Sequence, residues 1–154
     1  MGTRSNIAYK KEDGSIVSSY CHYDGYVEHN GVMLLKHYNG EKQARELVDN
    51  GYMSSLGSTI EVINEGRANK DEPELYKNEY YFINDLDTLF IEFVYLFKDG
   101  GWNVSRSMSV STPEGYSDYQ YYYSSFKPLN EVVTIEMMKE KKASWTLEIQ
   151  NANY

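Results

Sequence analysis

Residues 89–110 read LFIEFVYLFKDGGWNVSRSMSV, and this stretch decides the predicted fold. Its first half, 89–97, is almost wholly apolar and rich in aromatic and aliphatic residues, which is typical of a buried strand. Turn residues follow at 98–101, and apolar residues then alternate with polar ones over 102–110. Alternation with a period of two is the pattern of a strand that buries one face. The stretch therefore predicts a β-hairpin in the central part of a sheet.

A second hairpin is predicted at the start of the sequence. Strand-like runs at 3–10 and 15–22 flank Glu12-Asp13-Gly14. Asp-Gly between two such runs is a strong hairpin signal, because both residues tolerate the positive φ angles of a tight turn.

The region after this hairpin is predicted to contain a pair of helices. Apolar residues recur at helical spacing over 27–38, and the Asn39-Gly40 pair that follows is typical of a helix C-terminus. A second helix is predicted over 41–49, which gives an αα-hairpin packed on the first strands. Further along, 59–63 is predicted as a short strand and 64–78 as an exposed loop.

One further helix is predicted near the C-terminus. Asn130 is a suitable N-cap for an apolar stripe over 129–137, and alternating apolar residues at 145–149 indicate a closing strand. The whole sequence, 1–154, is predicted as a single domain of α+β class. We expect a mainly antiparallel sheet of about five or six strands, with the αα-hairpin after the first two strands and one C-terminal helix.

The composition argues against direct binding to nucleic acid or membranes. There are 23 Asp and Glu residues against 15 Lys and Arg, so the net charge is -8. An acidic surface repels phosphate backbones and anionic lipid headgroups. No apolar run approaches the roughly 20 residues that a membrane span requires. The single cysteine, Cys21, excludes an internal disulfide and favours a reducing compartment, so we expect a cytoplasmic protein.

The densest cluster of reactive side chains is Tyr-Cys-His-Tyr-Asp-Gly-Tyr at 20–26, where the second strand meets the first helix. The neighbouring strand supplies a guanidinium that can bind phosphate or carboxylate, and backbone N–H groups at a helix start favour anions. The resulting candidate ligand site contains Arg4, His22, Tyr23, Asp24 and Tyr26. The alternative is a turn in which Asp24 caps the helix and pairs with His22.

Enzyme chemistry receives little support from the same cluster. Cys21 and His22 are adjacent on a strand, so their side chains point to opposite faces and do not form a thiol–imidazole pair. A metal site from His22, Asp24 and His29 matches no ligand spacing. Carboxylate pairs arise by chance in a chain with 23 Asp and Glu residues. We therefore predict no catalytic residue, no metal and no cofactor.

Tyrosine is unusually frequent, with 16 residues against 5 Phe and 2 Trp. Its ring packs against apolar groups while its hydroxyl stays hydrated or hydrogen-bonded, which suits a protein interface, although half-buried strands also use tyrosine. Combined with carboxylates, such a surface imitates nucleic acid and fits a basic cleft on a partner. The candidate partner surface comprises Tyr80, Tyr81, Asp85, Asp87, Tyr116, Asp118, Tyr119, Tyr121, Tyr122 and Tyr123.

Several motifs in the first 57 residues occur in the order found in one protein group. They are Met-Gly-Thr-Arg-Ser at 1–5, Tyr-Cys-His-aromatic-Asp-Gly-Tyr at 20–26, Gly-x-x-Leu-Leu-x-x-Tyr at 31–38 and Ser-Ser-Leu-Gly at 54–57. In this part the chain resembles a group of small uncharacterised phage and prophage proteins, although Tyr23 stands where that group often has Trp. The resemblance implies a phage-type origin and a place in the cytoplasm of a host cell, but it supplies no activity.

Together these observations predict a non-catalytic phage accessory protein that counters a host defence or another host factor. The first route is binding of a host protein, such as a nucleic-acid-binding enzyme, by the acidic tyrosine-rich surface. The second is capture of a phosphate-bearing nucleotide signal at Arg4 and 22–26, and the third is a small enzyme that acts on a nucleotide. Association of two copies of the chain is left open.

Overall fold

The structure, a computed structural model, describes residues 2–65, 67, 71–111 and 119–138. Within this part of the chain, a mixed sheet is built from the strands β1 (Ser5–Lys10), β2 (Ile16–Cys21), β3 (Glu74–Tyr76), β4 (Phe93–Lys98), β5 (Gly101–Ser111), β6 (Tyr119–Tyr123) and β7 (Lys127–Pro128). The spatial order is β3-β2-β1-β4-β5-β6, and β7 pairs with β5. The predicted α+β class is confirmed.

Both predicted hairpins are present. β4 and β5 pair from Phe93↔Arg106 to Lys98↔Gly101, so the loop between them has two residues. Asp99 and Gly100 have φ angles of 53° and 81°, and positive φ at both central residues gives the turn whose twist matches the strands. β1 and β2 pair across a longer loop from Ser5↔Cys21 to Lys10↔Ile16.

The two hairpins meet along a parallel ladder between β1 and β4, in register from Ser5↔Phe93 to Tyr9↔Phe97. The other ladders between the described strands are antiparallel, so the sheet is mainly antiparallel, as predicted. Parallel neighbours require a long connection, and the chain between β2 and β4 supplies it with four helices and β3.

Helices cover both faces of the sheet. The predicted αα-hairpin consists of a π-helical turn (Val27–Gly31) that continues into α1 (Val32–His37), followed by α2 (Glu41–Asp49). These elements pack on the face that carries Ile7, Tyr95 and Phe97. The opposite face carries Ala8, Val94 and Leu96 and is covered by Phe82 of a later helix, α4 (Glu79–Asp85). We call this second face the α4 face.

Between the hairpins, two sequence predictions are wrong or incomplete and one helix was missed. The predicted strand at 59–63 is a helix, α3 (Ile60–Asn64), whose start is capped by the Thr59 hydroxyl accepting from the Val62 N–H at 3.2 Å. The predicted loop at 64–78 contains β3, which pairs with β2 as the edge of the sheet. The helix α4 was not predicted, and Asn78 caps it by accepting from the Tyr81 N–H at 3.1 Å.

The predicted C-terminal helix is interrupted, because helical backbone covers 129–132 and then resumes over 135–138. α5 (Leu129–Val132) begins one residue before Asn130, so Asn130 does not cap it, and Leu129 and Val133 are its buried anchors. The predicted turn at 112–115 and closing strand at 145–149 lie outside the described residues. In the part of the chain that the structure describes, no helix has the length and apolar character needed to cross a bilayer.

Candidate functional site

Arg4, immediately before β1, lies in an aromatic cluster. Its guanidinium carbon is 4.3 Å from the ring centroid of Phe90, and Tyr20 stacks on the same Phe90 ring at 6.0 Å. The Nε of Arg4 is buried and has no hydrogen-bond partner among the described residues. Burial raises the pKa of Tyr20, and the positive charge of Arg4 acts in the opposite direction. Cation–π attraction therefore holds Arg4 in this cluster.

His22 joins the cluster through Tyr20 rather than through Asp24. Its Nδ1 is 2.7 Å from the Tyr20 hydroxyl, and its ring meets the exposed Tyr23 edge-on, with 4.5 Å between centroids. Of the five predicted ligand-site residues, Arg4, His22 and Tyr23 thus lie around Tyr20 and Phe90. The alternative interpretation, in which His22 pairs with Asp24, is wrong.

The other two residues of the predicted site form a local turn. Asp24 has a φ of 59° and accepts a hydrogen bond from the Tyr26 hydroxyl at 3.1 Å. Asp24 does not cap the helix, because Tyr26 occupies the N-cap position there. Between them, Gly25 donates its N–H to the Thr3 carbonyl at 2.7 Å, and a Cβ at Gly25 would lie 2.8 Å from the Ser5 Cβ. The space beside Gly25 is therefore filled by β1.

Cys21 points to the opposite face from His22, as the strand alternation predicted. Its thiol is buried and lies 3.5 Å from the Nδ2 of Asn30, which also donates to the Ser5 hydroxyl at 3.2 Å. Burial raises the pKa of Cys21 to about 11. A protonated, enclosed thiol is a poor nucleophile, so this position does not support thiol catalysis.

The first half of the predicted partner surface lies on and beside α4. Tyr80 and Tyr81 are 69% and 52% exposed. Asp85 accepts a 3.0 Å hydrogen bond from Tyr76, whose hydroxyl also lies 2.7 Å from Glu74. We define Glu74, Tyr80, Tyr81, Asp85 and Asp87 as the α4 surface. Glu74 and Tyr76 were missed because 64–78 was interpreted as a loop.

The tyrosines of β6 are divided between the two faces of the sheet. Tyr123 is half-buried on the α4 face and donates its hydroxyl to the Ile91 carbonyl at 2.9 Å. Tyr121 shares that face by alternation, whereas Tyr122 pairs with Met108 and points to the other side. Tyr119 begins β6. The remaining members, Tyr116 and Asp118, lie outside the described residues.

Cations on the α4 face are largely neutralised. Lys10 and Lys98 each lie 2.9 Å from a different oxygen of Glu79. By contrast, no Lys or Arg within the described ranges forms an ion pair with the carboxylates at positions 71, 72, 74, 85 and 87. Lys77 is the exposed cation between β3 and α4. The face therefore carries excess negative charge beside exposed aromatic rings.

A cavity of about 340 Å³ opens at the edge of this face, and we call it the β3 cavity. Tyr20 and Tyr52 line one side with stacked rings, 5.7 Å apart and inclined at 26°. The rest of the lining is polar and comprises Asn6, Ser18, Ser19, Asp71, Glu72 and Glu74. Sequence reasoning missed this cavity because four separate segments form it.

Metal chemistry and known families give no further guide to the site. Among residues with described positions, no group of three His, Cys, Asp or Glu side chains is placed to hold a metal ion. No family model, no curated protein and no solved structure matches this chain. What the site does must therefore be inferred from its own geometry and charge.

Proposed function

We propose that this chain is a non-catalytic binding protein whose α4 surface binds a basic surface of another protein. The observation that carries the proposal is the exposure of Tyr80 and Tyr81 next to carboxylates that have no cationic partner among the described residues. Exposed aromatic rings provide contact area at low entropic cost, and unpaired carboxylates attract a basic partner from a distance.

The charge arrangement supports a basic partner over a phosphate-bearing one. Glu79 holds both Lys10 and Lys98, so these two cations are not available to an incoming anion. The net charge of -8 also attracts a basic partner and repels a phosphate-bearing one. Complementary charge raises the association rate and excludes partners of the wrong sign.

The resemblance of the first 57 residues to phage and prophage proteins supports a bacterial host protein as the partner. A phage protein that occupies a basic cleft on a host nucleic-acid-binding enzyme would block it without catalysis. We therefore place the proposed action in the host cytoplasm, against a defence system or another host factor.

A second candidate function is capture of a nucleotide signal at the Arg4 cluster. The observation that favours it is the exposed Phe90 ring beneath the Arg4 guanidinium, next to the exposed Tyr23. Phe90 already stacks with Tyr20 and holds Arg4, but the exposed Tyr23 ring can stack on a base while the cation binds a phosphate. The carboxylates of the neighbouring β3 cavity oppose a polyanion, so this candidate ranks second.

The proposal is tested by capture from a bacterial lysate with tagged wild-type protein and two variants of the α4 surface. We expect Tyr80→Ser/Tyr81→Ser and Asp85→Lys each to lose a captured protein that the wild type retains, with weaker capture at higher salt. Matched controls are Tyr122→Ser on the opposite face and Glu46→Lys on α2, both exposed. Equal capture by α4-surface and control variants would refute the proposal. Nucleotides released from the wild type but not from Arg4→Ala would support the second candidate instead.

A further inference from the structure

The β3 cavity has the chemistry of a cation site, because aromatic and carboxylate-bearing residues both line it. The Tyr20 and Tyr52 rings stack 5.7 Å apart, and Asp71, Glu72 and Glu74 also belong to the lining. No Lys, Arg or His is found among the described residues that line the cavity. Negative charge and aromatic faces both attract a cation, and they do so more strongly in a partly enclosed site.

Asn6, which lines the cavity, offers it a hydrogen-bond acceptor. Asn6 is only 9% exposed, and its Nδ2 donates to the Ser18 hydroxyl at 2.8 Å. The carboxamide oxygen of Asn6 has no hydrogen-bond partner among the described residues. The buried side-chain atom without a partner in the described part of the chain is Arg4 Nε, so the Asn6 oxygen is reached by solvent and is open to accept from a ligand N–H group.

The aromatic and acidic lining and the Asn6 acceptor together favour an arginine side chain as the ligand. A guanidinium is planar, carries five N–H donors and stacks on aromatic rings. It can therefore donate to a carboxylate and to Asn6 while its plane lies against Tyr52. A lysine ammonium is a compact, strongly hydrated charge and makes less use of a flat aromatic wall.

We infer that the β3 cavity binds an arginine side chain of the basic protein partner. This inference rests on the proposed function, since it names the residue type through which the partner is recognised. Glu74 belongs both to the α4 surface and to the cavity, so a partner seated on the exposed tyrosines can also reach the cavity.

The test uses the full chain and small probes, without any partner protein. We expect N-acetyl-arginine amide to produce saturable NMR shifts centred on Tyr52, Asn6 and Glu72, with a dissociation constant in the millimolar range. N-acetyl-citrulline amide has nearly the same shape but no charge, and we expect it to bind at least about tenfold more weakly. The inference is overturned if the arginine probe shows no saturation at about 50 mM, or if both probes shift the same residues equally.

Two variants check the location of the bound probe. Tyr52→Leu removes the stacking partner, and we expect about two- to thirtyfold weaker binding. Glu72→Gln removes one exposed carboxylate with little effect on folding, and it should also weaken binding. Glu46→Gln removes an exposed carboxylate on α2, outside the cavity, and should leave the dissociation constant unchanged. Unchanged binding in both cavity variants would place the probe elsewhere and refute the inference.

The lysate experiment separates failure of this inference from failure of the proposed function. A partner that is lost with Tyr80→Ser/Tyr81→Ser but still binds Tyr52→Leu and Glu72→Gln refutes the arginine site and leaves the proposed function intact. If the wild type captures no such partner, the proposed function fails, while the probe titration still decides whether the cavity binds a guanidinium.

Discussion

The hydroxyl of Tyr95 donates a 2.6 Å hydrogen bond to the backbone carbonyl of Gly25. Tyr95 is fully buried in β4, and Gly25 lies in the turn that carries Asp24 and Tyr26. This bond crosses from the central strand to the segment that follows β2. The turn is therefore fixed to the core of the sheet and does not depend on a ligand for its shape.

Loss of this bond should destabilise the whole fold. Tyr95→Phe leaves the ring in place but deprives the buried Gly25 carbonyl of its donor, so we expect a loss of about 1–2 kcal/mol in the free energy of unfolding. Urea unfolding followed by circular dichroism measures it. Tyr80→Phe, on an exposed ring, is the matched control and should leave the midpoint unchanged. An equal midpoint for wild type and Tyr95→Phe would contradict the role of the bond.

Gly51 is expected to tolerate no side chain. Its φ is 85°, and a Cβ there would overlap the carbonyl oxygen of Asp71, which accepts the Tyr52 N–H at 3.0 Å. Gly51→Ala should therefore cost more than about 1 kcal/mol in stability and weaken binding at the β3 cavity, because it displaces the acidic wall.

The matched control for this variant is Gly14→Ala. Gly14 has a φ of 90°, but nothing lies within 4 Å of an added Cβ. The Gly14→Ala variant therefore reports the backbone strain alone. Its unfolding midpoint should fall less than that of Gly51→Ala. If both variants lose the same stability, the contact with Asp71 does not matter.

Glu79 should make stability depend on pH in the acid range. Burial would raise its pKa, but the hydrogen bonds from Lys10 and Lys98 outweigh burial and lower the pKa below its ordinary value of 4.5. A lowered folded-state pKa contributes stability above the unfolded-state pKa, and that contribution is lost as the pH falls through the folded-state pKa.

We expect Glu79→Gln to be less stable than the wild type at pH 7 by about 1 kcal/mol. The difference should shrink toward zero as the pH falls below about 4. Unfolding curves at several pH values measure it, with exposed Glu46→Gln as the control. A difference that stays constant down to about pH 3 would show that the two lysine contacts do not act through charge.

Cys21 should be unreactive in the native protein. Because burial raises its pKa to about 11, its thiolate fraction at pH 8 is on the order of one in a thousand, and its sulfur is enclosed. A colorimetric disulfide reagent should therefore label Cys21 only after denaturant is added. Rapid labelling of the folded protein at pH 8 would contradict the buried position.

Sequence patterns predicted the elements that depend on contacts between residues close in the chain. The Asp99-Gly100 turn and the alternation over 102–110 gave the central hairpin. The short helices α3 and α4 were missed because their starts depend on Thr59 and Asn78 as caps within polar, weakly periodic sequence. The parallel pairing of β1 with β4 has no local signature. This pairing depends on how the long connection between β2 and β4 brings the chain back to the sheet beside β1.

The candidate sites, too, could be predicted where neighbouring residues form them and could not be predicted where distant segments meet. Strand alternation correctly separated Cys21 from His22, and it explains why Arg4 and His22 belong to one cluster with Tyr20. The β3 cavity could not be predicted, because its lining comes from β1, β2, the residue after Gly51 and residues 71–74 at the edge strand. Only tertiary packing brings these four segments together.

The parallel β1–β4 ladder also determines the order in which the protein can assemble. Each hairpin closes through contacts near in sequence, whereas their joining spans most of the chain, and non-local pairing of this kind slows folding. During synthesis the first hairpin leaves the ribosome with one edge unpaired until residues 93–97 emerge. We expect that docking step to limit the folding rate, and an open strand edge is where premature association between nascent chains would begin.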